Sequence, residues 1–160
     1  MDIRIGTGFD VHKLVADRKL FLCGVEFDYP LGLLGHSDAD VALHAVTDAI
    51  LGAVCAGDIG SWFPDNDPSY KDANSQDLLR TVMQSPQLQN WQVGNLDLVI
   101  IAQQPKILPQ VPAMRECLAK LLNCHPNQIS IKGKTTEKLG FTGRGEGIAA
   151  QAVILMHKNA

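Results

Sequence analysis

The stretch Arg4-Ile5-Gly6-Thr7-Gly8-Phe9-Asp10-Val11-His12, near the start of the chain, decides how the fold is interpreted. It predicts a strand over residues 3–11 that ends among polar side chains. Because alternate residues of a strand point to the same side, the side chains of Asp10 and His12 are expected to reach one point. A carboxylate and an imidazole that converge are typical of a metal site, although D-x-H alone is a common tripeptide.

A long helix downstream supplies a third candidate ligand. The sequence predicts this helix over residues 38–56, with Ser37 as its N-cap and Gly57 as its stop. His44 lies toward its middle, among small and apolar residues. Two imidazoles and one carboxylate would make a three-ligand set of the kind that catalytic zinc uses, with a fourth position open to water or substrate. A helical histidine in the core or on the surface, without a metal, is the alternative.

Two acidic residues flank His44 on the same helix. Asp40 and Asp48 lie one turn before it and one turn after it. Either is a candidate to accept the free imidazole N–H of His44 and so fix its tautomer.

Composition narrows the class of protein. The chain has 160 residues, of which 46% are hydrophobic, and a formal net charge of -3. These values fit one globular domain over residues 1–160 and suggest no basic patch for a nucleic acid or an anionic membrane. The apolar runs are shorter than the roughly 20 residues of a membrane span, and no signal peptide is recognisable. Four cysteines without a C-x-x-C pair predict reduced thiols in a cytoplasmic protein.

The remaining patterns predict an α+β domain. Strand-like residues 19–27 bend at Gly24 and predict a small hairpin, and residues 58–74 form a long loop. A helix capped by Ser75 and another that begins at Pro109 follow. Further core strands are expected over residues 96–103, 129–134 and 148–157. This order predicts a mixed four-stranded sheet with helices on one face and the hairpin beside it.

Several loops have the composition of a phosphate or polyol site. His36 and Ser37 lie at the entrance of the first long helix, where an anion would meet the helix dipole, although Ser37 also suits a plain N-cap. Residues 132–138 offer lysines, hydroxyls and Glu137 for phosphate or magnesium, and a solvated mixed-charge loop is the alternative. Residues 58–68 offer carboxylates for hydroxyl groups, and Asx turns explain them equally well.

Taken in order along the chain, these segments resemble the 2-C-methyl-D-erythritol 2,4-cyclodiphosphate synthase family of the non-mevalonate isoprenoid pathway. The resemblance covers almost the whole chain, and its ordered motifs are specific as a set although each is weak alone. It is carried by residues 4–12, Gly35-His36-Ser37-Asp38-Ala39-Asp40-Val41 with His44, Asp58-Ile59-Gly60 with Phe63-Pro64-Asp65, Ala102-Gln103-Gln104-Pro105-Lys106, and residues 135–147.

The resemblance implies roles for individual residues. Asp10, His12 and His44 would hold zinc, and Glu137 would hold a second metal, magnesium or manganese. Thr135 would contact the diphosphate and belong with these four to the catalytic set. The other substrate contacts would be His36 and Ser37 at the phosphates, in a mobile loop; Asp58, Gly60, Phe63 and Asp65 around the methylerythritol; and Ala102, Pro105, Lys106, Ile107, Leu108 and Lys134 around the cytidine and its phosphates.

The resemblance also implies a homotrimer, with the sheets around the threefold axis and each active site between two subunits. The cytidine pocket would come from the neighbouring subunit. A central cavity on the axis, which in relatives can hold an isoprenoid diphosphate, would be lined by Phe9, Phe141, Arg144 and Glu146. Relatives commonly read Lys-Ala-Thr-Thr-Thr-Glu where this chain has Lys132-Gly133-Lys134-Thr135-Thr136-Glu137, so Gly133 and Lys134 depart from the family pattern.

The implied reaction is a cyclising, CMP-releasing step of the phosphorus-oxygen lyase type. The 2-phosphate of 4-diphosphocytidyl-2-C-methyl-D-erythritol 2-phosphate attacks the β-phosphorus of its own diphosphate, CMP leaves and the cyclic diphosphate forms. Such a transfer needs positioning and charge neutralisation more than a protein nucleophile. Two alternatives are a metal-dependent phosphohydrolase that activates water, and a non-catalytic trimeric protein that binds an isoprenoid diphosphate.

Overall fold

The first strand is longer than the sequence predicts. The structure, a computed structural model, describes residues 2–158 and assigns β1 to Asp2–Val15. The predicted domain of residues 1–160 is therefore described without residues 1, 159 and 160. Burial alternates along β1, with Gly6, Gly8 and Leu14 buried and the residues between them more exposed. Asp10 and His12 consequently share the inward face.

The main sheet of the described chain has five strands. Besides β1 they are β4 Gly32–Leu33, β5 Trp91–Ile101, β6 Ile129–Lys134 and β7 Gly147–Lys158. Their order in the sheet is β4-β1-β7-β5-β6. β7 pairs antiparallel with β1 and β5, whereas β5 and β6 are parallel, so the sheet is mixed as predicted. The predicted number of four strands was wrong, because the two residues of β4 are too short to give a periodic signal.

The described residues contain five α-helices, and the longest packs against β1 and the last strand of the sheet, in agreement with the predicted α+β fold. They are α1 Val41–Ala53, α2 Ile59–Trp62, α3 Ser75–Met83, α4 Val111–Leu122 and α5 Gly140–Gly143. The predicted loop over residues 58–74 thus contains α2 and a 3-10 turn at Pro68–Tyr70, and α5 lies within the motif of residues 135–147. No helix of residues 2–158 has the length and apolar character that crossing a membrane requires.

The caps of α1 and α3 differ from the prediction. Asp40, not Ser37, is the N-cap of α1, which is accordingly shorter than the predicted helix. Asn74 caps α3, and Ser75 is its first helical residue. The hydroxyl groups of both serines are therefore available for other contacts.

Asp40 also holds the predicted hairpin, β2 Leu20–Leu22 and β3 Val25–Phe27, against α1. Its fully buried carboxylate accepts hydrogen bonds from the backbone N–H groups of Cys23 (3.0 Å), Gly24 (2.7 Å) and Leu43 (3.0 Å). Cys23 and Gly24 have φ values of 53° and 75°, the positive values that a type I′ hairpin turn requires. Burial raises the pKa of Asp40 to about 6, against the effect of its backbone hydrogen bonds.

Two glycines bring α1 into contact with the backbone of β1. A Cβ atom on Gly6 would lie 1.8 Å from the carbonyl oxygen of Ala49, and one on Gly8 would lie 1.9 Å from that of Ala45. Any side chain at these positions would push the helix away from the strand. The close approach places His44, the residue before Ala45, beside the end of β1.

The opposite face of the sheet is open and apolar in the single chain. Ile3, Ile5, Phe9 and Val11 of β1 and Val153 of β7 are all at least 39% exposed. They lie on one face of two paired strands, around the exposed Thr7 that pairs with Val153, so they form one surface that is apolar on both sides of Thr7. A contiguous apolar surface of this kind is typical of an interface.

Candidate metal centre and cleft

Asp10, His12 and His44 converge on one point, as the sequence predicts. Asp10 Oδ2 lies 3.0 Å from both His12 Nε2 and His44 Nδ1, and these two nitrogens are 3.1 Å apart. A tetrahedral zinc with ligand bonds of 2.0–2.1 Å would separate its ligands by about 3.3 Å. The triangle therefore fits a divalent metal with little adjustment. Among residues 2–158, these three side chains form the group whose ligand atoms lie close enough together to bind one ion.

The ring nitrogens that face away from the triangle both have partners. His12 Nδ1 lies 2.7 Å from the carbonyl oxygen of Leu34, which can only accept, so this nitrogen carries the hydrogen. His12 Nε2 consequently points a lone pair at the triangle. A carbonyl that orients a histidine in this way is a common support of metal ligands.

The support of His44 was predicted at the wrong residues. Its Nε2 lies 3.0 Å from Ser75 Oγ and 3.3 Å from Ser37 Oγ. Asp40 is occupied by the hairpin, and Asp48 accepts from the backbone N–H of Ile59 at 2.7 Å, at the start of α2. Helical spacing suggested the two acids, whereas the serine at the start of α3 reaches His44 only through the tertiary fold.

The ligand side chains also shift the pKa values of Asp10 and His12. Burial raises the pKa of Asp10, but hydrogen bonds and charges from His12 and His44 outweigh burial and hold that pKa well below its usual range. Burial lowers the pKa of His12, but the hydrogen bond and negative charge of Asp10 outweigh it, and the net pKa is raised. Asp10 thus stays ionised, as a metal ligand must be.

The triangle lies in a cleft of about 220 Å³. Most of the residues predicted to contact the substrate near the metal line this cleft, namely His36, Ser37, Gly60, Phe63 and Asp65. Tyr70 and Leu78, which no sequence motif indicated, also line the cleft. Tyr70 packs edge-on against Phe63, with ring centroids 5.2 Å apart.

Asp58 has a local role that is visible in the structure. Its carboxylate caps α2 by accepting from the backbone N–H of Ser61 at 2.8 Å, and the Ser61 hydroxyl lies within reach of its backbone N–H in return. This is the turn chemistry that the sequence left as the alternative. A substrate contact at Asp58 remains a prediction.

The residues predicted around the cytidine form a separate groove of about 200 Å³. It shares no lining residue with the metal cleft of the same chain. Its walls include Ala102, Pro105, Lys106, Ile107, Leu108, Lys134 and Thr135. Gly133 departs from the family pattern at a tight contact, because a Cβ there would lie 2.9 Å from Cβ of Ile107.

Glu137 lies in the loop after β6, outside the Asp10–His12–His44 triangle. Its Oε1 accepts a hydrogen bond from Thr135 Oγ1 at 2.8 Å. Both residues are exposed, so each is accessible to a ligand or a neighbouring subunit. Their predicted roles at a second metal and a diphosphate remain predictions.

The four residues predicted to line a central cavity are also accessible. Phe9 is exposed on the open face of the sheet, and Phe141 is partly exposed in α5. Arg144 and Glu146 form a two-pronged ion pair, with Nε–Oε1 and Nη2–Oε2 distances of 2.8 and 3.2 Å. The cavity itself needs neighbouring subunits and stays a prediction.

Comparison with known proteins agrees with the residue pattern. The model of the YgbB family matches residues 3–157. A protein of Geobacter sulfurreducens named 2-C-methyl-D-erythritol 2,4-cyclodiphosphate synthase is 57% identical over 156 residues, 98% of this chain and 99% of its own. A protein of the same name from Listeria innocua is 54% identical over 98% of this chain and 99% of its own.

Solved structures show the same fold. The CDP complex of Plasmodium falciparum IspF aligns with a TM-score of 0.86 at 37% identity, over 99% of this chain and 97% of its own. The bifunctional IspDF of Campylobacter jejuni aligns with a TM-score of 0.93 at 40% identity, and this chain covers 43% of that longer one. From its ordered motifs, its fold and these matches, the chain belongs to the YgbB family.

Proposed function

We propose that the protein converts 4-diphosphocytidyl-2-C-methyl-D-erythritol 2-phosphate into 2-C-methyl-D-erythritol 2,4-cyclodiphosphate and CMP, in isoprenoid precursor biosynthesis. The observation that carries this proposal is the triangle of Asp10, His12 and His44 in a cleft that His36, Ser37 and Asp65 also line. The relatives that match over almost their whole length bear the name of this synthase.

The donor set favours zinc as the ion of the triangle. Two imidazoles and one carboxylate are the kind of three-ligand set found in catalytic zinc sites, and they leave a coordination position for a substrate oxygen. When bound there, a divalent ion supplies positive charge to phosphate oxygens. The role of Asp10, His12 and His44 is to hold that charge at the base of the cleft.

The walls of the cleft position the substrate around the ion. The Ser37 hydroxyl and the His36 imidazole can donate hydrogen bonds to phosphate oxygens. Asp65 and the backbone around Gly60 suit the hydroxyl groups of the methylerythritol. Asp58 holds the backbone at Gly60 in place because it caps α2. Because the attacking phosphate and the diphosphate belong to one molecule, holding both ends in line contributes most of what this chemistry needs.

The nucleotide half of the substrate fits the second groove. A structural relative was solved as a CDP complex. Lys106 and Lys134 supply positive charge beside the apolar walls made by Ile107 and Leu108. Thr135 would contact the diphosphate, and Glu137 beside it would hold magnesium or manganese.

Because the metal cleft and this groove are separate within one chain, we propose that they meet between subunits of a homotrimer. The open apolar face formed by Ile3, Ile5, Phe9, Val11 and Val153 is the surface that such an assembly would bury around its axis. Phe9, Phe141, Arg144 and Glu146 would then line the axial cavity. The compartment that we propose is the cytoplasm, where thiols such as buried Cys23 stay reduced.

The test is phosphorus NMR of the purified protein with the cytidyl substrate, zinc and magnesium. The expected products are CMP and a cyclic diphosphate in equal amounts. Release of inorganic phosphate would instead favour the phosphohydrolase. An unchanged spectrum from a zinc-loaded protein that binds an isoprenoid diphosphate would favour the non-catalytic binding protein.

A further inference from the structure

The imidazole of His44 contacts a buried serine that was predicted only as a helix cap. Ser75 is 1% exposed, and its Oγ lies 3.0 Å from His44 Nε2. The Ser75 hydroxyl donates its hydrogen to Asp38 Oδ1. The backbone N–H of Ser75 donates to Asp38 Oδ2 over 3.0 Å. The carboxylate of Asp38 therefore holds Ser75 at two points.

The number of hydrogens on the Ser75 hydroxyl determines which atom is the donor between Ser75 and His44. A serine hydroxyl has one hydrogen and two lone pairs, and a carboxylate can only accept. Because the Ser75 hydrogen goes to Asp38, Ser75 offers His44 a lone pair. For this contact to be a hydrogen bond Nε2 must donate. The neutral imidazole then presents its Nδ1 lone pair to the point shared with Asp10 Oδ2, 3.0 Å away, and His12 Nε2, 3.1 Å away, where a proton of His12 or a divalent ion can lie.

We infer that Ser75 and Asp38 are positioning residues that hold His44 in its Nε2–H tautomer, so that Nδ1 is ready to bind a divalent ion. This inference rests on the metal-dependent function proposed above. It assigns His44 the same kind of support that Leu34 gives His12, with a hydroxyl and a carboxylate in place of a carbonyl.

Ser37 provides the natural comparison within the same site. Its Oγ is farther from His44 Nε2, at 3.3 Å, and it accepts a hydrogen bond from the backbone N–H of Ala39 at 3.1 Å. No carboxylate takes its hydrogen among the hydrogen bonds of the described residues. The Ser37 hydroxyl thus keeps its hydrogen free to rotate and can donate it to a substrate, so Ser37 imposes no tautomer.

The test measures the tautomer directly in protein labelled with 15N histidine, using long-range proton–nitrogen correlation without metal. The unsubstituted protein should show His44 protonated at Nε2 and bare at Nδ1. Ser75→Ala should give a mixture of tautomers. Asp38→Asn should increase the Nδ1–H share, because the amide can donate to Ser75 and release the serine hydrogen toward His44. Ser37→Ala, the matched control, should leave the tautomer unchanged.

Zinc affinity, measured by competition with a chelator, is the second readout. Loss of such a support typically weakens metal binding by about 10–100-fold, and this loss is expected for Ser75→Ala and Asp38→Asn but not for Ser37→Ala. Circular dichroism confirms that each variant is folded. Unchanged tautomer and affinity in both folded variants would overturn the inference. Neither readout uses substrate, so a protein that passes both but forms no cyclic product would refute the proposed function alone.

Discussion

Gly8 and Ala45 lie so close that a Cβ on Gly8 would stand 1.9 Å from the carbonyl oxygen of Ala45. Gly8 is two residues before Asp10 on β1, and Ala45 follows His44 on α1. The backbone contact between strand and helix therefore sets the separation of two metal ligands whose donor atoms are 3.0 Å apart. The packing of α1 on β1 and the geometry of the metal site therefore depend on the same contact.

Gly8→Ala should consequently damage both stability and metal binding. Overpacking against a rigid backbone carbonyl is expected to cost about 3 kcal/mol or more in the free energy of unfolding. Displacement of α1 should also weaken zinc binding, which urea unfolding and chelator competition would measure separately.

Gly52→Ala is the matched control for this substitution. Gly52 also lies in α1, but the nearest atom to its added Cβ is 3.8 Å away. Alanine there should raise the free energy of unfolding by about 0.5–1 kcal/mol, because it reduces the backbone entropy of the unfolded chain. Equal losses in the two variants would contradict the packing argument.

Removal of a ligand should abolish turnover without unfolding the chain. For His44→Ala, we expect no detectable product by phosphorus NMR and loss of bound zinc by atomic absorption, with near-native circular dichroism. His125→Ala removes an exposed imidazole that caps a 3-10 turn and should retain both activity and zinc. Turnover by a metal-stripped His44→Ala protein would show that the triangle is not catalytic.

Zinc affinity should fall as the pH is lowered. The pKa of His12 is raised above its ordinary value of 6.5 by Asp10, and zinc must displace the proton on Nε2. Below that raised pKa the affinity should decrease by about tenfold for each pH unit, since one proton competes for one ligand. Chelator competition between pH 5 and 8 would measure the slope and the pH at which affinity begins to fall. A fall that begins only below pH 6.5 would contradict the pairing of Asp10 with His12.

Glu137→Gln should weaken the response to magnesium while leaving zinc binding intact. The amide keeps the size of the side chain and an oxygen for the Thr135 hydroxyl, but it lacks the charge that attracts a second cation. Magnesium titrations of turnover at saturating zinc would show a higher half-saturating concentration. An identical titration curve would remove Glu137 from the proposed second site.

A single charged substitution tests whether the open apolar face is buried in a trimer. Ile5 is 69% exposed in the single chain and lies on the apolar face, between Ile3 and Thr7. Ile5→Glu should convert a trimer into smaller species in sedimentation experiments, because it would bury an unpaired carboxylate. Ile5→Val should leave the assembly intact. A protein that is monomeric before any substitution would refute the trimer.

The metal ligands could be predicted from sequence because each depends on a local period. Asp10 and His12 follow strand alternation, and His44 follows from a helix whose apolar pattern is clear. The supports of His44 depend instead on tertiary packing, which places Ser75 beside it from the start of another helix. Sequence spacing therefore pointed to Asp40 and Asp48, which the fold uses for a hairpin and for α2.

The ends of the strands also could not be predicted from sequence spacing alone. β5 begins at Trp91, five residues before the predicted start at Leu96, because Gln92 and Asn95 are polar and the pairing with β7 shifts register between Val93 and Asn95. An irregularity of this kind breaks the alternation on which the prediction relied. β4 was missed because its partner, the end of β1, cannot be identified from its own two residues.

The separation of the metal cleft from the nucleotide groove has a genetic consequence if the two meet across a subunit boundary. A chain with His44 replaced and a chain with Lys106 replaced would each be inactive alone. In a mixed trimer, at least one junction would join the intact cleft of one chain to the intact groove of the other. Co-expression of two dead alleles would then restore part of the activity, by complementation within a single gene.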